Sequence, residues 1–486
     1  MMPRAFGFCG LTICLLSWGG MAAAQGPGSE NAPPPTAPPV PQGVEVLARG
    51  PVHEAFATPT TAPTPTQLVP KAPPKPLEEM PPDQKPEGNV VWIGGYWAWD
   101  DDRHDFLWVS GVWRSAPPGK TWVAGYWREA DGKWQWVPGF WTEALHEGEP
   151  TQQLTYYPSP PPPPETAAPG EPPTPDSFYI PGVWYWAGDH YAWRAGYWGR
   201  VQPGYVWVAA HYRWTPSGYV FIPGYWDLTV ARRGVLYAPV VVDPNVVGVT
   251  FVYTPYYAVQ DTFLVDALWV RPSYGCYYFG DYYGPAYHDL GFESYVVYSR
   301  RCYDPIFVYE RWDHRRDPNW VSVQVNLYNA RYRGEAPLPP RTLVQQTTIV
   351  NINRTTTINN TRVIMPASQL AAAQGQRLVP VDRAQQWQIR QQAQAVQQVA
   401  LQRSQMEVAA PGGVPQRPRA ATLQVPPNLP RGNPVNSSFA ASGANRPGMN
   451  PARPAYRPPY RPAPGPSRPA PSRPDPRERD KDRDHH

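Results

Sequence analysis

The stretch GYWREADGKWQWVPGFW, residues 125–141, decides the fold. At its centre stands Asp131-Gly132, a pair suited to a two-residue hairpin turn, with aromatic runs on both sides. Placing these two residues in the turn pairs positions whose numbers sum to 263: Trp127 with Trp136, Trp122 with Trp141, and Tyr126 with Val137. Tryptophan then faces tryptophan across an antiparallel pair. Because strand side chains alternate, Trp127, Trp136 and Trp134 share one face with Gly125, while Trp122 and Trp141 lie on the other with Gly139. A glycine beside each large ring leaves a gap that a facing indole covers, and it lets a long strand bend.

Working outward, the same W-x-x-G-x-W pattern recurs at Trp92/Gly95/Trp97, Trp108/Gly111/Trp113, Trp122/Gly125/Trp127 and Trp136/Gly139/Trp141. It returns as Tyr179/Gly182/Trp184, Trp193/Gly196/Trp198, Trp207/Ala210/Tyr212 and Phe221/Gly224/Trp226. The final aromatic advances by 16, 14 and 14 residues in the first block and by 14 each time in the second. Fourteen residues suit one strand and one turn, and are too few for a helical-hairpin repeat. The same arithmetic puts further turns at Gly188-Asp189 and Pro117-Pro118, with the longer step absorbed around Asp102 and Arg103. The expected fold is mainly β: antiparallel β-meanders built from 14-residue aromatic repeats, plus one C-terminal helix and long disordered Pro-rich segments.

The rest of the chain divides by composition. Arg4, an apolar run through Leu16 and the small residues Ala22, Ala23 and Ala24 read as a signal peptide over 1–24, with the mature chain starting near Gln25. Residues 25–88 and 146–176 read as Pro-rich disordered linkers around repeat block 1 (89–145) and before block 2 (177–228). A Tyr-rich β region follows at 229–340, where GVLYAPVVV, VVGVTFVYT, DTFLVDALWV and SVQVNLYNA suggest strands. A Thr/Asn-rich segment at 341–366 suggests an extended arm; its two N-x-T sequons carry little weight. Residues 381–408 lack Gly and Pro and suggest a helix. Its seams Ile389/Val396/Arg403 and Gln392/Val399/Met406 would suit a weak coiled coil, allowing self-association through 381–408. The segment 411–486 reads as a disordered Pro/Arg-rich tail; its 13 Arg and Lys against five acids account for the chain's net charge of +4.

Chemistry is sparse. Prolines and glycines form about 22% of the 486 residues, aromatic residues 13% and charged residues only 17%, which excludes one large enzyme core. No nucleophile elbow, phosphate loop or metalloprotease motif is present, and the nine histidines are scattered, so the chain reads as non-enzymatic, with no cofactor and no metal. Asp100, Asp101 and Asp102 suit a solvated hairpin turn better than a calcium loop. Asp304, Asp313, His314 and Asp317, beside Arg311, Arg315 and Arg316, read as a self-compensated charged loop. After signal cleavage two cysteines remain, Cys276 and Cys302, which either form one disulfide or stay as buried thiols. No later stretch is apolar enough for a transmembrane helix. The ring rows admit three uses: structural packing, stacking on sugar rings, or an outer-membrane β-barrel, the last disfavoured by Pro138, Pro181 and Pro223 within the strands.

The copies GYWREADGKWQWVPGFW and GYWGRVQPGYVWVAAHYRW resemble the W-x-x-G-x-W (YXWGXW) repeat of exported bacterial proteins. The layout, with RRGVLYAPV at 232–240 and the tyrosine-rich stretch after it, also resembles large planctomycete envelope proteins. The resemblance implies export to the periplasm, cell envelope or exterior and supplies no catalytic residues. The expected function is therefore a structural or interaction protein of the envelope, or alternatively a glycan-binding module. Expected partners are envelope polysaccharide or other envelope proteins, and not nucleic acid.

Overall fold

Each pair of repeat copies folds as one bent hairpin. The computed structural model describes residues 39–144, 151–164, 170–248, 250–352, 362–408 and 413–425. The signal peptide, the sequons and most of the Pro/Arg tail lie outside these described residues. In the second hairpin, Tyr126–Ala130 and Lys133–Val137 close over Asp131 (φ 52°) and Gly132 (φ 69°), the two left-handed positions that a type I′ turn requires. Trp127 faces Trp136 and Tyr126 faces Val137. Beyond a break at Gly125 and Pro138-Gly139, Lys120–Val123 and Phe140–Glu143 place Trp122 opposite Trp141.

The other three hairpins repeat this plan. They pair Trp97 with Trp108 and Trp92 with Trp113, then Trp184 with Trp193 and Tyr179 with Trp198, then Tyr212 with Phe221 and Trp207 with Trp226. In all eight pairs the ring centroids lie 5.0–5.6 Å apart, edge-on or tilted. Each such contact contributes about 0.5–1.5 kcal/mol beyond burial.

The architecture is mainly β and antiparallel as expected, with short open sheets and no barrel among the described residues. It is not a continuous meander. Trp113 pairs with Trp92 rather than with Trp122, because Val112–Arg114 already has both edges filled, by Val91–Ile93 and by Gly234–Leu236. Pro117 and Pro118 lie in a connection between hairpins, where they offer no N–H to a ladder.

Three expectations about the surrounding segments are corrected. First, the described parts of the proline-rich linkers join the fold. Val52, Ala55 and Phe56 are fully buried, and Val44–Val46, Gly50–Pro51, Leu68–Val69 and Gln84–Pro86 all join sheets. Thr151–Tyr157 pairs with Arg419–Gln424, so the second linker and the start of the tail meet in one sheet. Proline already holds the backbone extended, which suits a segment laid across aromatic strands. Second, two expected strands are helical: DTFLVD of DTFLVDALWV forms the helix Asp261–Asp266, and SVQVNLYNA lies in the helix Trp320–Tyr332, whose buried Trp320, Gln324, Tyr328 and Arg331 follow helical spacing. Third, Leu343–Ile352 is helical rather than extended, and the hydroxyls of Thr347 and Thr348 donate to the carbonyls of Leu343 and Val344. Ile364–Pro366 does form a strand, against Tyr257–Val259.

The two repeat blocks meet. Arg114, from the end of the first hairpin, donates to both oxygens of Asp227 at 2.6 and 2.7 Å, and Arg233 reaches the same carboxylate at 3.1 Å. All three side chains are buried, and the guanidiniums also donate to the carbonyls of Ala55 and Phe56. This one carboxylate ties both blocks to the N-terminal arm. A long helix, Arg383–Val408, packs across the first block. Its seam residues Val396, Val399 and Arg403 are buried against the repeat hairpins and the 419–424 strand of the same chain. No helix of the described residues is long and apolar enough to cross a membrane.

Candidate functional site: an aromatic cleft beneath the long helix

The bend in each hairpin creates the site. At Gly125 an added Cβ would stand 2.5 Å from Trp136 Cζ2 and 2.6 Å from the Val137 carbonyl oxygen. Gly139 bears the same relation to Trp122, Gly111 to Trp92, Gly95 to Trp108, Gly182 to Trp193, Gly196 to Tyr179 and Gly224 to Trp207. Each repeat glycine is therefore the seat of a ring from the facing copy. The eighth position is Ala210, and the ring related to it by this rule is Phe221, smaller than an indole. These two departures from the repeat, Ala210 and Phe221, are thus complementary.

Bending also removes the glycine N–H groups from the ladder, and buried carboxylates take them up. Glu79 Oε2 accepts from Gly95 N at 2.8 Å, while Oε1 accepts from Gly111 N at 2.9 Å and Trp108 Nε1 at 3.0 Å. In the second hairpin Glu54 accepts from Trp136 Nε1 at 2.7 Å and Gly139 N at 2.9 Å. Burial pushes the Glu79 carboxyl up to about 7 against the three donors that favour its charge, and it raises Glu54 likewise. Beside Glu54, His53 Nδ1 accepts from Ala55 N at 3.1 Å, so Nε2 carries the proton and donates to Gly94 O at 3.2 Å. Burial lowers this imidazole to about 4, keeping it neutral.

Between the first two hairpins and the long helix lies a cleft of about 300 Å³, at the small end of the ~300–1,000 Å³ typical of small-molecule pockets. Its walls are Tyr96, Trp97, Trp108, Trp122, Trp127, Trp134 and Trp136, with Pro73, Pro74 and Pro76 along one side. The helix contributes Gln397, Gln398 and Ser404. Flat rings facing amide and hydroxyl groups make a surface for an amphipathic ligand, with no charged group among the helix contributions.

The helix is pinned over this cleft by Arg403 and Glu407, both buried. Arg403 donates to Glu407 at 2.7 Å and to the carbonyls of Pro138 and Ala124 at 2.9 and 3.2 Å. Glu407 in turn accepts from the Tyr126 and Tyr156 hydroxyls at 2.6 and 3.0 Å. The Pro138-Gly139 bend frees the Pro138 carbonyl, and Arg403 satisfies it.

Of the repeat aromatics singled out in the sequence, Trp97, Trp108, Trp122, Trp127 and Trp136 line the cleft. Trp92, Trp113 and Trp141 are buried elsewhere in the first block. Trp184, Trp193, Trp198, Trp207, Tyr212, Phe221 and Trp226 belong to the second block and stay outside the cleft. Cys276 and Cys302 are free thiols; Cys276 Sγ points at Glu54 Oε1, 3.6 Å away, and burial raises its thiol well above the ordinary value. Asp101 and Asp102 face the guanidiniums of Arg271 and Arg49. Asp304 caps a helix by accepting from Phe307 N and also takes the Tyr277 hydroxyl, while His314 stacks on Trp320. Nothing in the sequence reading marks Glu54, Glu79 or Glu407, and Arg403 stands there only as a coiled-coil seam position. For Glu54 a signal existed, a lone acid in the apolar run VHEAFA.

A model of the WXXGXW repeat, holding two copies, matches residues 89–114, 121–142, 178–198 and 203–227. Each matched stretch is one of the four hairpins. No curated protein and no solved structure matches the chain.

Proposed function

We propose that this chain, which carries four hairpins matching the WXXGXW repeat, serves as an exported, non-catalytic scaffold of the bacterial cell envelope. The observation that carries the reading is the internal use of the repeat: rings pair with rings, glycines seat rings, and buried charges join the hairpins to the arm and the helix. In the first block, eight tryptophans are less than 9% exposed, so most of its aromatic surface is core. The leader-like residues 1–24 support export. The test is fractionation of cells expressing the full chain. The expected result is recovery from the envelope or medium with an N-terminus near Gln25; recovery from the cytosol with the leader intact would contradict it.

The cleft favours a second reading, in which the scaffold also holds a short glycan. Aromatic walls suit the apolar faces of sugar rings, and Gln397, Gln398 and Ser404 suit their hydroxyls. Titration of tryptophan fluorescence with cell-wall polysaccharide fragments tests it. A saturable change lost in Gln397→Ala supports the reading, and no change at any concentration removes it.

A further inference from the structure

The third hairpin differs from the others in that its tip is not enclosed: no residue of Val183–Trp186 or Tyr191–Arg194 is fully buried. Across it runs Pro158–Pro164, PSPPPPP, six prolines in seven residues. Proline fixes φ near −65° and keeps the preceding residue extended, so this segment is a polyproline II strand by its own stereochemistry. Residues 160–164 have no N–H, and their carbonyls need external donors. The Tyr191 hydroxyl donates to Pro158 O at 2.7 Å and Trp184 Nε1–H donates to Pro162 O at 3.2 Å.

The first hairpin repeats this chemistry. Trp97 Nε1–H donates to Lys75 O at 2.9 Å within KAPPKP, and Trp113 Nε1–H to Gln84 O at 3.1 Å within PPDQKP. Three repeat indoles thus donate to the backbone of proline-rich strands, as do the aromatic grooves that read such strands elsewhere. In the first hairpin the rings are buried; in the third, Pro161–Pro164 and the hairpin tip face solvent. The tip also exposes Asp189, whose carboxyl is held below its ordinary range by a hydrogen bond from His190, with a smaller contribution from Arg417. Arg417 precedes Pro418, and the same Arg-Pro step recurs at Arg446, Arg453, Arg457, Arg461, Arg468 and Arg473.

The geometry points to the third hairpin as a polyproline II receptor: Trp184 and Tyr191 hold Pro158–Pro164 of the same chain, and take the Arg-Pro-rich tail of a second copy in its place. Such a contact is heterologous, so it joins copies head to tail. It concerns the purified chain alone and does not depend on export or on the scaffold reading.

Replacing Pro158–Pro164 with Gly-Ser-Gly-Ser-Gly-Ser-Gly removes the polyproline occupant from both donors and frees the receptor face. In calorimetric titration, a peptide with the sequence of residues 453–469 should bind this variant saturably, and bind the unaltered chain at least about tenfold more weakly, because the tethered segment competes at high effective concentration. Trp184→Phe and Tyr191→Phe, each removing one donor from the emptied variant, should each weaken binding by about 2–10-fold. Absence of saturable binding, with hydrogen exchange at 183–194 unchanged, overturns the proposal, and so does binding indifferent to both Phe substitutions. Should the emptied variant unfold at this hairpin, sedimentation of the unaltered chain decides. Concentration-dependent association weakened by the W184F/Y191F pair is expected; a monomer at every concentration overturns the exchange.

Discussion

Substituting Gly224 by alanine tests the ring-on-glycine rule where it is cleanest. A Cβ there would lie 2.5 Å from Trp207 Cζ2 and 3.2 Å from Cε2 and Cη2, so the nearest obstacles all belong to one ring. Carbon atoms prefer about 3.5–4.0 Å, so the indole must withdraw by about 1 Å. Overpacking of this kind costs about 1–3 kcal/mol, offset by about 0.4–1 kcal/mol from the stiffer unfolded chain. Gly224→Ala should therefore destabilise the fourth hairpin by about 1–2 kcal/mol. Trp207→Phe removes the obstructing edge, and no hydrogen bond is lost, since the buried Trp207 Nε1 has no partner. In the double variant the alanine should be nearly neutral, giving a coupling of about 1–3 kcal/mol. The combination reproduces on one side of the hairpin what Ala210 and Phe221 already form on the other. Native-state hydrogen exchange over residues 205–228 reads the local opening energy directly. A Gly224→Ala variant as stable as the parent, or a strictly additive double variant, would refute the reasoning.

Three further outcomes follow from the buried charges. Glu79 has a folded-state value of about 7 against 4.5 unfolded, so the folded chain keeps a proton through that window after the unfolded chain has released it. Its contribution is present below pH 4.5 and is lost as pH rises to 7. The stability of the parent relative to Glu79→Gln should fall by about 3 kcal/mol across this range, measured by urea titration at several pH values; a pH-independent difference would be inconsistent. Arg403→Met leaves Glu407 buried without its cation and should cost about 3–5 kcal/mol, seen as faster proteolytic release of the long helix. Asp227→Asn strands Arg114 and Arg233 together and should cost a similar amount, with increased exchange in Gly234–Leu236 as the readout.

The repeat was legible because its signal is local. Asp131-Gly132 sets the turn, and a fourteen-residue step sets which ring faces which, so Trp127 and Trp136 could be paired from numbering alone. What composition obscured was where the edges of each hairpin go. One partner each of Val112–Arg114 and Thr151–Tyr157 comes from residues 234–236 and 419–424, which no local pattern connects to them. Proline content was misread for a physical reason: proline specifies an extended backbone, and whether that backbone is solvated or laid on indoles depends on what it meets. Trp97 and Trp113 supply donors that make residues 71–86 part of the fold. SVQVNLYNA fits either period over nine residues, and burial of Gln324 and Arg331 is what selects the helix. The cleft itself needed the long helix placed on the first block, a placement set by Arg403 and by carbonyls that only the bent hairpin exposes.

The central claim is that most repeat rings of the first block are core, while Trp184, Trp186 and Trp193 at the third hairpin are only half-buried. Acrylamide quenching of tryptophan fluorescence, compared with and without W184F/W186F/W193F in a chain whose exposed indole at Trp387 has been replaced by Trp387→Phe, tests it most directly. The account predicts that the triple variant loses most of the readily quenched emission and that what remains is largely protected. Quenching unchanged by the three substitutions would mean that the first-block rings are open to solvent, and would contradict it.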